Sequence, residues 1–241
     1  DDMGPAGKLT VSNRVAATAE KPHGIYGPGS QTFTITIENT APSYAYQGSG
    51  AFDTPVGESA PGPAFPGGAY EFSFVAGDGA RLSFATMYVQ SNDLFFAPGQ
   101  AGIALFEGGS PVSGDVTGQI GLWDAGTEVN EAPGTGANQA PRQTGADTGA
   151  DENGPVQAVN DGFAYPSVDE TIAVTIASQA AAGATRFTVR IGNLSGSTTP
   201  LAPGVWVIHS AGEPLFTGGQ MDSGAGLEAL ADKFDYVGEV R

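Results

Sequence analysis

Acidic side chains crowd one stretch of this chain, which opens with Ser91-Asn92-Asp93 and closes with Asp151-Glu152-Asn153. From Asp124 to Asn153 there are six carboxylates (Asp124, Glu128, Glu131, Asp147, Asp151 and Glu152) against one cation, Arg142. The Gly, Pro, Thr, Asn and Gln between them neither build a core nor neutralise charge. A long polar connection inside a compact chain is usually functional or disordered. A hard cation that takes about six to eight oxygen ligands would offset the repulsion, so calcium is the expected cofactor. Asp124 and Glu128 stand four apart around Gly126, which lets the backbone turn both carboxylates toward one point. Thr127 and Asn130 could add neutral oxygens. Magnesium suits the stretch less, because it demands octahedral geometry and keeps its waters. The competing reading is that Asp124 and Asn92 cap turns through their own side chains. Glu131, Asp147, Asp151 and Glu152 could form a second site, but a solvated acidic surface is expected for each.

Other chemistries find less support. There are no cysteines, which removes disulfides, thiol catalysis and thiolate metal sites. Two histidines, His23 and His209, are too few for a typical zinc site. His209 beside Ser210 could suggest nucleophilic catalysis, which needs a base held against the hydroxyl by an orienting acid. No Gly-x-Ser-x-Gly elbow leads into a helix, so a packed histidine, and no enzyme, is expected. Nothing singles out a carboxylate pair for glycoside cleavage. Asn193-Leu194-Ser195 is a weak glycosylation sequon. Trp123 and Trp206 lie in strand patterns and are expected to pack rather than to stack on sugars.

Twenty-six acids against nine bases give a net charge of -17, which disfavours nucleic acid and anionic membrane surfaces as partners. Such acidity, with only three lysines, suits a saline medium or divalent cations. No apolar run is long enough to span a membrane. The chain starts at Asp1 with neither initiator Met nor signal peptide, as a processed secreted protein would, so an extracellular location is expected.

The elements that must position the acids read as strands. At 241 residues the chain can bury roughly 70% of its unfolded surface without staples. Residues 1–31 read as an extended N-terminal arm with one short strand, Lys8 to Ser12, and residues 32–241 as the sandwich. Thr32 to Glu38 alternates strictly, with Phe33, Ile35 and Ile37 on one face. Ala41 to Gly68 is a proline-rich excursion of turns, after which Tyr70 to Phe74 resumes the alternation. Arg81 to Val89 is apolar on both faces, which places it centrally. Ile103 to Phe106 and Val116 to Trp123 give two more strands, the second leading into the acidic stretch. Thr171 to Ile176, Arg186 to Ile191 and Val205 to His209 follow. Only Gly226 to Phe234 reads as helical, with Leu227, Leu230 and Phe234 on one side. The expected fold is therefore all-β, an antiparallel β-sandwich with one short C-terminal helix. Phe33-Thr34-Ile35-Thr36-Ile37 also echoes Phe187-Thr188-Val189-Arg190-Ile191 at an offset of 154 residues.

Three blocks resemble the spondin N-terminal domain. Leu82 to Met87 followed by Ser91-Asn92-Asp93-Leu94-Phe95 resembles that family's strand and Asn-Asp turn. Asp124-Ala125-Gly126-Thr127-Glu128 resembles its Asp-Ala-Gly-Thr-Glu/Asp loop. Pro203 to His209, with Leu215-Phe216, Gly219 and Gly226 to Ala231, resembles its opening segment. The last block comes first in the family, so the order here is either permuted or the start of a partial second copy from Phe187. The resemblance implies a β-sandwich with calcium among the loops at one end, used for adhesion in the extracellular matrix or at cell surfaces. Carried over residue by residue, it assigns ligands to Asp93, Asp124 and Glu128.

Two roles follow. One is a calcium-stiffened structural or adhesive module that binds an unidentified surface ligand. The other is a filament subunit whose arm, or whose Phe187–Arg241 block, adds a strand to another copy.

Overall fold

The computed structural model describes residues 9–12, 34–37, 46–145, 148–181, 183–223, 227 and 230. The chain divides into two compact units, Asp1–Tyr44 and Ala45–Arg241. In the first, β1 (Leu9–Ser12) pairs antiparallel with β2 (Thr34–Ile37), Leu9 opposite Ile37 and Ser12 opposite Thr34. The alternating strand expected over Thr32 to Glu38 is β2, and the first compact unit ends at Tyr44. The rest of the expected arm lies outside the described residues.

The second unit is an antiparallel β-sandwich. Its strands are β3 (Tyr46–Phe52), β4 (Ala69–Ala76), β5 (Arg81–Tyr88), β6 (Leu94–Pro98), β7 (Ile103–Ala104), β8 (Phe106–Glu107), β9 (Ser110–Pro111), β10 (Gly114–Asp115), β11 (Ile120–Asp124), β12 (Gln157–Ala158), β13 (Ile172–Ala181), β14 (Ala184–Asn193) and β15 (Leu201–His209). One sheet runs β12-β11-β6-β5-β15-β3, with β7 also on β5; the other runs β10-β13-β14-β4. A short ribbon, β8-β9, pairs with neither sheet, and its Phe106 packs on Phe187.

Alternation decides which side chains meet between the sheets. Ile172, Val174 and Ile176 from β13 and Phe187, Val189 and Ile191 from β14 are buried against Leu82, Phe84, Tyr88, Leu94 and Phe96 of the larger sheet. Rings of Phe52, Phe72, Trp206 and Phe74 stack in a row, with neighbouring centroids 5.3–5.5 Å apart. Strand β5 is apolar on both faces because both are covered. On its outer face, Ala85 packs with Phe95, Ala97, Ala125, Val156, Phe216 and Leu227, while Met87 packs with Val89, Ala140 and Ala202. Residues after β15 therefore strap the outside of the larger sheet, and the acidic stretch is pinned there through Ala125 and Ala140.

Some expected elements take other forms. Ile103–Phe106 splits into β7 and β8 with Leu105 buried between them. Thr117–Gln119 is a 3-10 turn ahead of β11. Strand β3 occupies part of the expected excursion of turns. It has no hydrophobic alternation, and at Gly50 packing excludes a side chain: a Cβ there would come within 2.8 Å of the Trp206 ring. A four-residue helix, α1 (Val168–Thr171), precedes β13, and the Glu170 carboxylate accepts from the Ser167 N–H and O–H. Of the expected C-terminal helix, Leu227 and Leu230 are helical and pack on the strap cluster; Phe234 lies outside the described residues. Among the described residues no helix is long and apolar enough to cross a membrane.

The Phe187 block is spoken for within its own chain. Strand β14 is interior between β13 and β4, and β15 is interior between β5 and β3. Residues 187–209 therefore complete this sandwich and are not free to complete another.

Candidate functional site

The acidic stretch leaves β11 at Asp124 and returns at Val156, and its two limbs zip together. Val129 N–H donates to Ala150 O, Glu152 N–H to Thr127 O and Gly154 N–H to Gly126 O, at 2.7–2.9 Å. Gly126 makes that approach possible: its φ is +70°, and a Cβ there would lie 2.7 Å from the Gly154 carbonyl. Further along, Gln139 is fully buried and its Nε2 donates to the carbonyls of Glu131 and Ala132 and to Asn92 Oδ1. Glu131 accepts from both the N–H and the side-chain amide of Asn138. The stretch thus holds its shape largely through its own amides.

Asp93 sits in the turn between β5 and β6, directly beneath this hairpin. It is fully buried, and its Oδ2 accepts from Thr127 N–H at 2.8 Å, Thr127 Oγ1 at 3.0 Å and Glu128 N–H at 3.1 Å. Its other oxygen, Oδ1, is buried and has no hydrogen-bond partner. Asp124, 3% exposed, accepts from Gly126 N–H on Oδ1 at 2.7 Å and from Asn130 Nδ2 on Oδ2 at 2.8 Å. Asn130 Oδ1 is in turn buried without a donor. Two oxygen acceptors are therefore sealed from water and unsatisfied, an arrangement that costs free energy unless something electropositive meets them.

The electrostatics point the same way. Burial pushes the Asp124 carboxyl up to about 6, the charge on Asp93 adds to this, and the bonds from Gly126 and Asn130 pull against it, with Asp161 adding a smaller push. Asp93 is also raised, chiefly by burial, despite its three donors, with Glu152 contributing repulsion. Glu152 is raised by desolvation and then by the charges of Asp124 and Asp161. Asp161 Oδ2 accepts from the Tyr165 hydroxyl at 2.5 Å, and Tyr165 is raised by burial and by that bond. Among the described residues no cation pairs with this group. Arg142 donates to Gly136 O and to Gln139 Oε1, and among the described residues the one ion pair is Arg190 with Glu71, on the smaller sheet.

Of the residues expected to form the site, Asp93, Asp124, Thr127 and Asn130 come together. Thr127 takes part as a donor to Asp93 through both its N–H and its hydroxyl. Glu128 is buried and gives its N–H to Asp93, while its carboxylate Oε1 accepts from Gly149 N–H at 2.6 Å, on the return limb. Glu152 adds repulsion at Asp93, and Asp93 and, less strongly, Asp161 add it at Asp124. Asp161 carried no signal, because it lies 37 residues along the chain from Asp124 in an irregular segment. Among the described residues, no three His, Cys, Asp or Glu side chains gather closely enough to hold a metal by themselves. An ion here would take carboxylate oxygen from Asp93 and Asp124 and amide oxygen from Asn130.

The remaining candidates are structural in their geometry. His209 is fully buried, with Nε2 2.9 Å from Ser83 Oγ and Nδ1 3.3 Å from Ala211 O, so its hydroxyl neighbour is Ser83 and not Ser210. Burial lowers its pKa. Trp123 packs on Phe216 with centroids 4.8 Å apart, and Trp206 belongs to the aromatic row. Asn193 is 3% exposed and its Nδ2 donates to Ala64 O and Thr199 O, which closes the sequon. Comparison with known protein families, with curated proteins and with solved structures finds no match.

Proposed function

We infer that this chain is a non-enzymatic, extracellular structural or adhesive module that binds calcium at the end of the sandwich where Asp93 meets Asp124. The carrying observation is the buried, partnerless Asp93 Oδ1, set among carboxylates that no cation neutralises among the described residues. A hard divalent ion supplies the positive charge these oxygens lack and takes a mixed carboxylate, amide and water shell. Asp93, Asp124 and Asn130 are the residues that would hold it, with Glu152 and Asp161 adding negative potential. Bound there, the ion would lock the hairpin 126–154 onto the turn at Asp93 and stiffen one end of the sandwich. The resemblance to the spondin N-terminal domain supports the same reading, as does the high acidity. The buried setting of His209 and Ser83 favours a packing role over catalysis.

Calorimetric titration with CaCl2 tests this. A saturable site is expected in the range of extracellular modules, about 10⁻⁴–10⁻³ M. Excess calcium at about 100 times the Kd should add about 2.7 kcal/mol of stability. Both effects should vanish in Asp93→Asn. No heat, together with identical unfolding in calcium and in chelator, would remove calcium from the account.

A further inference from the structure

We propose that the outer edge of β3 is a strand-addition site, and that its occupant is β2 of a second copy of this chain. Strand β3 is the last strand of the larger sheet, bonded to β15 on one side; among the described residues nothing pairs with its other side. An unpaired edge presents a row of N–H and C=O groups that template another strand, and soluble proteins usually blunt it with charge or proline. Tyr46-Gln47-Gly48-Ser49-Gly50-Ala51-Phe52 has neither, and Tyr46 is 62% exposed. A one-residue register shift near Tyr46 is the edge's only irregularity, and Gly48 to Phe52 run regularly against β15.

Charge selects the occupant. Copies carrying -17 each repel, so they can approach closely only through neutral surface. From Pro22 to Phe52 the sole charged residue is Glu38, and this run contains both β2 and β3. Strand β2 is Thr-Ile-Thr-Ile, a β-branched sequence suited to a sheet. Its one described partner is β1, and a two-stranded pair by itself is marginal in water. Its sequence also echoes β14, a strand that already serves inside the sandwich. Addition of β2 to β3 of another copy is heterologous: each chain gives one strand and receives one. Repetition yields a ring or an open filament, according to whether the rotation closes.

The chain from Asp1 to Arg241 tests the proposal by sedimentation over a concentration series. Assemblies larger than a dimer are expected at high concentration. Ser49→Lys, which charges the accepting edge, and Ile35→Pro, which removes a main-chain donor from β2, should each leave monomers. Near-ultraviolet circular dichroism would confirm that the sandwich is still folded in each. The decisive step is to mix the two variants. One intact donor strand and one intact edge then remain per pair, so a 1:1 heterodimer should form and nothing larger. A wild-type chain that stays monomeric overturns the proposal. So do assemblies that survive either substitution, or a mixture of the two variants that stays monomeric. The outcome bears on β3 and β2 alone, and does not depend on calcium at Asp93.

Discussion

Replacing Asp124 by Asn should stabilise the metal-free chain while destroying its response to calcium. The fold holds this carboxyl up to about 6, against an ordinary 3.8. A carboxyl raised in the folded state binds its proton more tightly there, so acid favours folding and alkali opposes it. The penalty starts near the ordinary value, grows as pH rises to about 6, and is constant above that. At about 1.36 kcal/mol per pH unit, that interval corresponds to about 3 kcal/mol near neutral pH when no cation is bound. In D124N the new amide still offers an oxygen to the Gly126 N–H. Turning the Asn130 amide over would present its Oδ1, now without a donor, to the new NH2 group. D124N should therefore gain about 2–3 kcal/mol in chelator near pH 7.5, at roughly 2–4 °C in Tm per kcal/mol for a unit of this size. Added calcium should stabilise the wild type and leave D124N unchanged. Urea unfolding of both chains, each in EDTA and in excess CaCl2, gives the four free energies needed. A D124N chain weaker than wild type in EDTA would refute the burial-and-repulsion account of this carboxyl. Equal calcium responses would refute its place as a ligand.

Three further outcomes follow from other contacts. His209 is depressed by burial, so the unfolded chain takes up that proton first; stability should be whole above the ordinary value of 6.5 and fall as pH drops through it, and His209→Gln should flatten that limb in pH-dependent unfolding. Phe216→Ala removes the ring that seats the strap on Phe95 and Trp123, and should cost about 3–5 kcal/mol in urea unfolding, with faster hydrogen exchange at Val156 and Gly219, whose N–H groups bond the strap to the end of the acidic stretch. Asn193 should carry no glycan when the chain is secreted from a glycosylating host, because its amide is buried and doubly donated; an intact mass showing a sugar at that position would contradict the packing of the 193–199 turn.

Much of the sandwich was legible from alternation alone. Ile172, Val174 and Ile176, and likewise Phe187, Val189 and Ile191, repeat every second residue, and a strand with one face buried must place them together. The double-sided apolar pattern of β5 likewise required cover on both faces. Composition fixed the charge, the absence of thiol chemistry and the acidic stretch after Trp123. Other features had no local signature. Strand β3 carries glycine at position 50 because Trp206 lies over it, a demand set by a residue about 150 positions away. The pairing of β2 with β1, in a unit distinct from the sandwich, turns on partner choice, which a strand's own pattern does not specify. At the acidic end, the sequence named Asp93, Asp124, Glu128, Thr127 and Asn130, but spacing in a loop says nothing about which way a carboxylate turns. Tertiary structure sent Glu128 to the Gly149 amide and set Glu152 and Asp161 close enough to repel Asp124. Periodicity is a property of neighbours along the chain, whereas burial of a charge depends on what the rest of the fold lays over it.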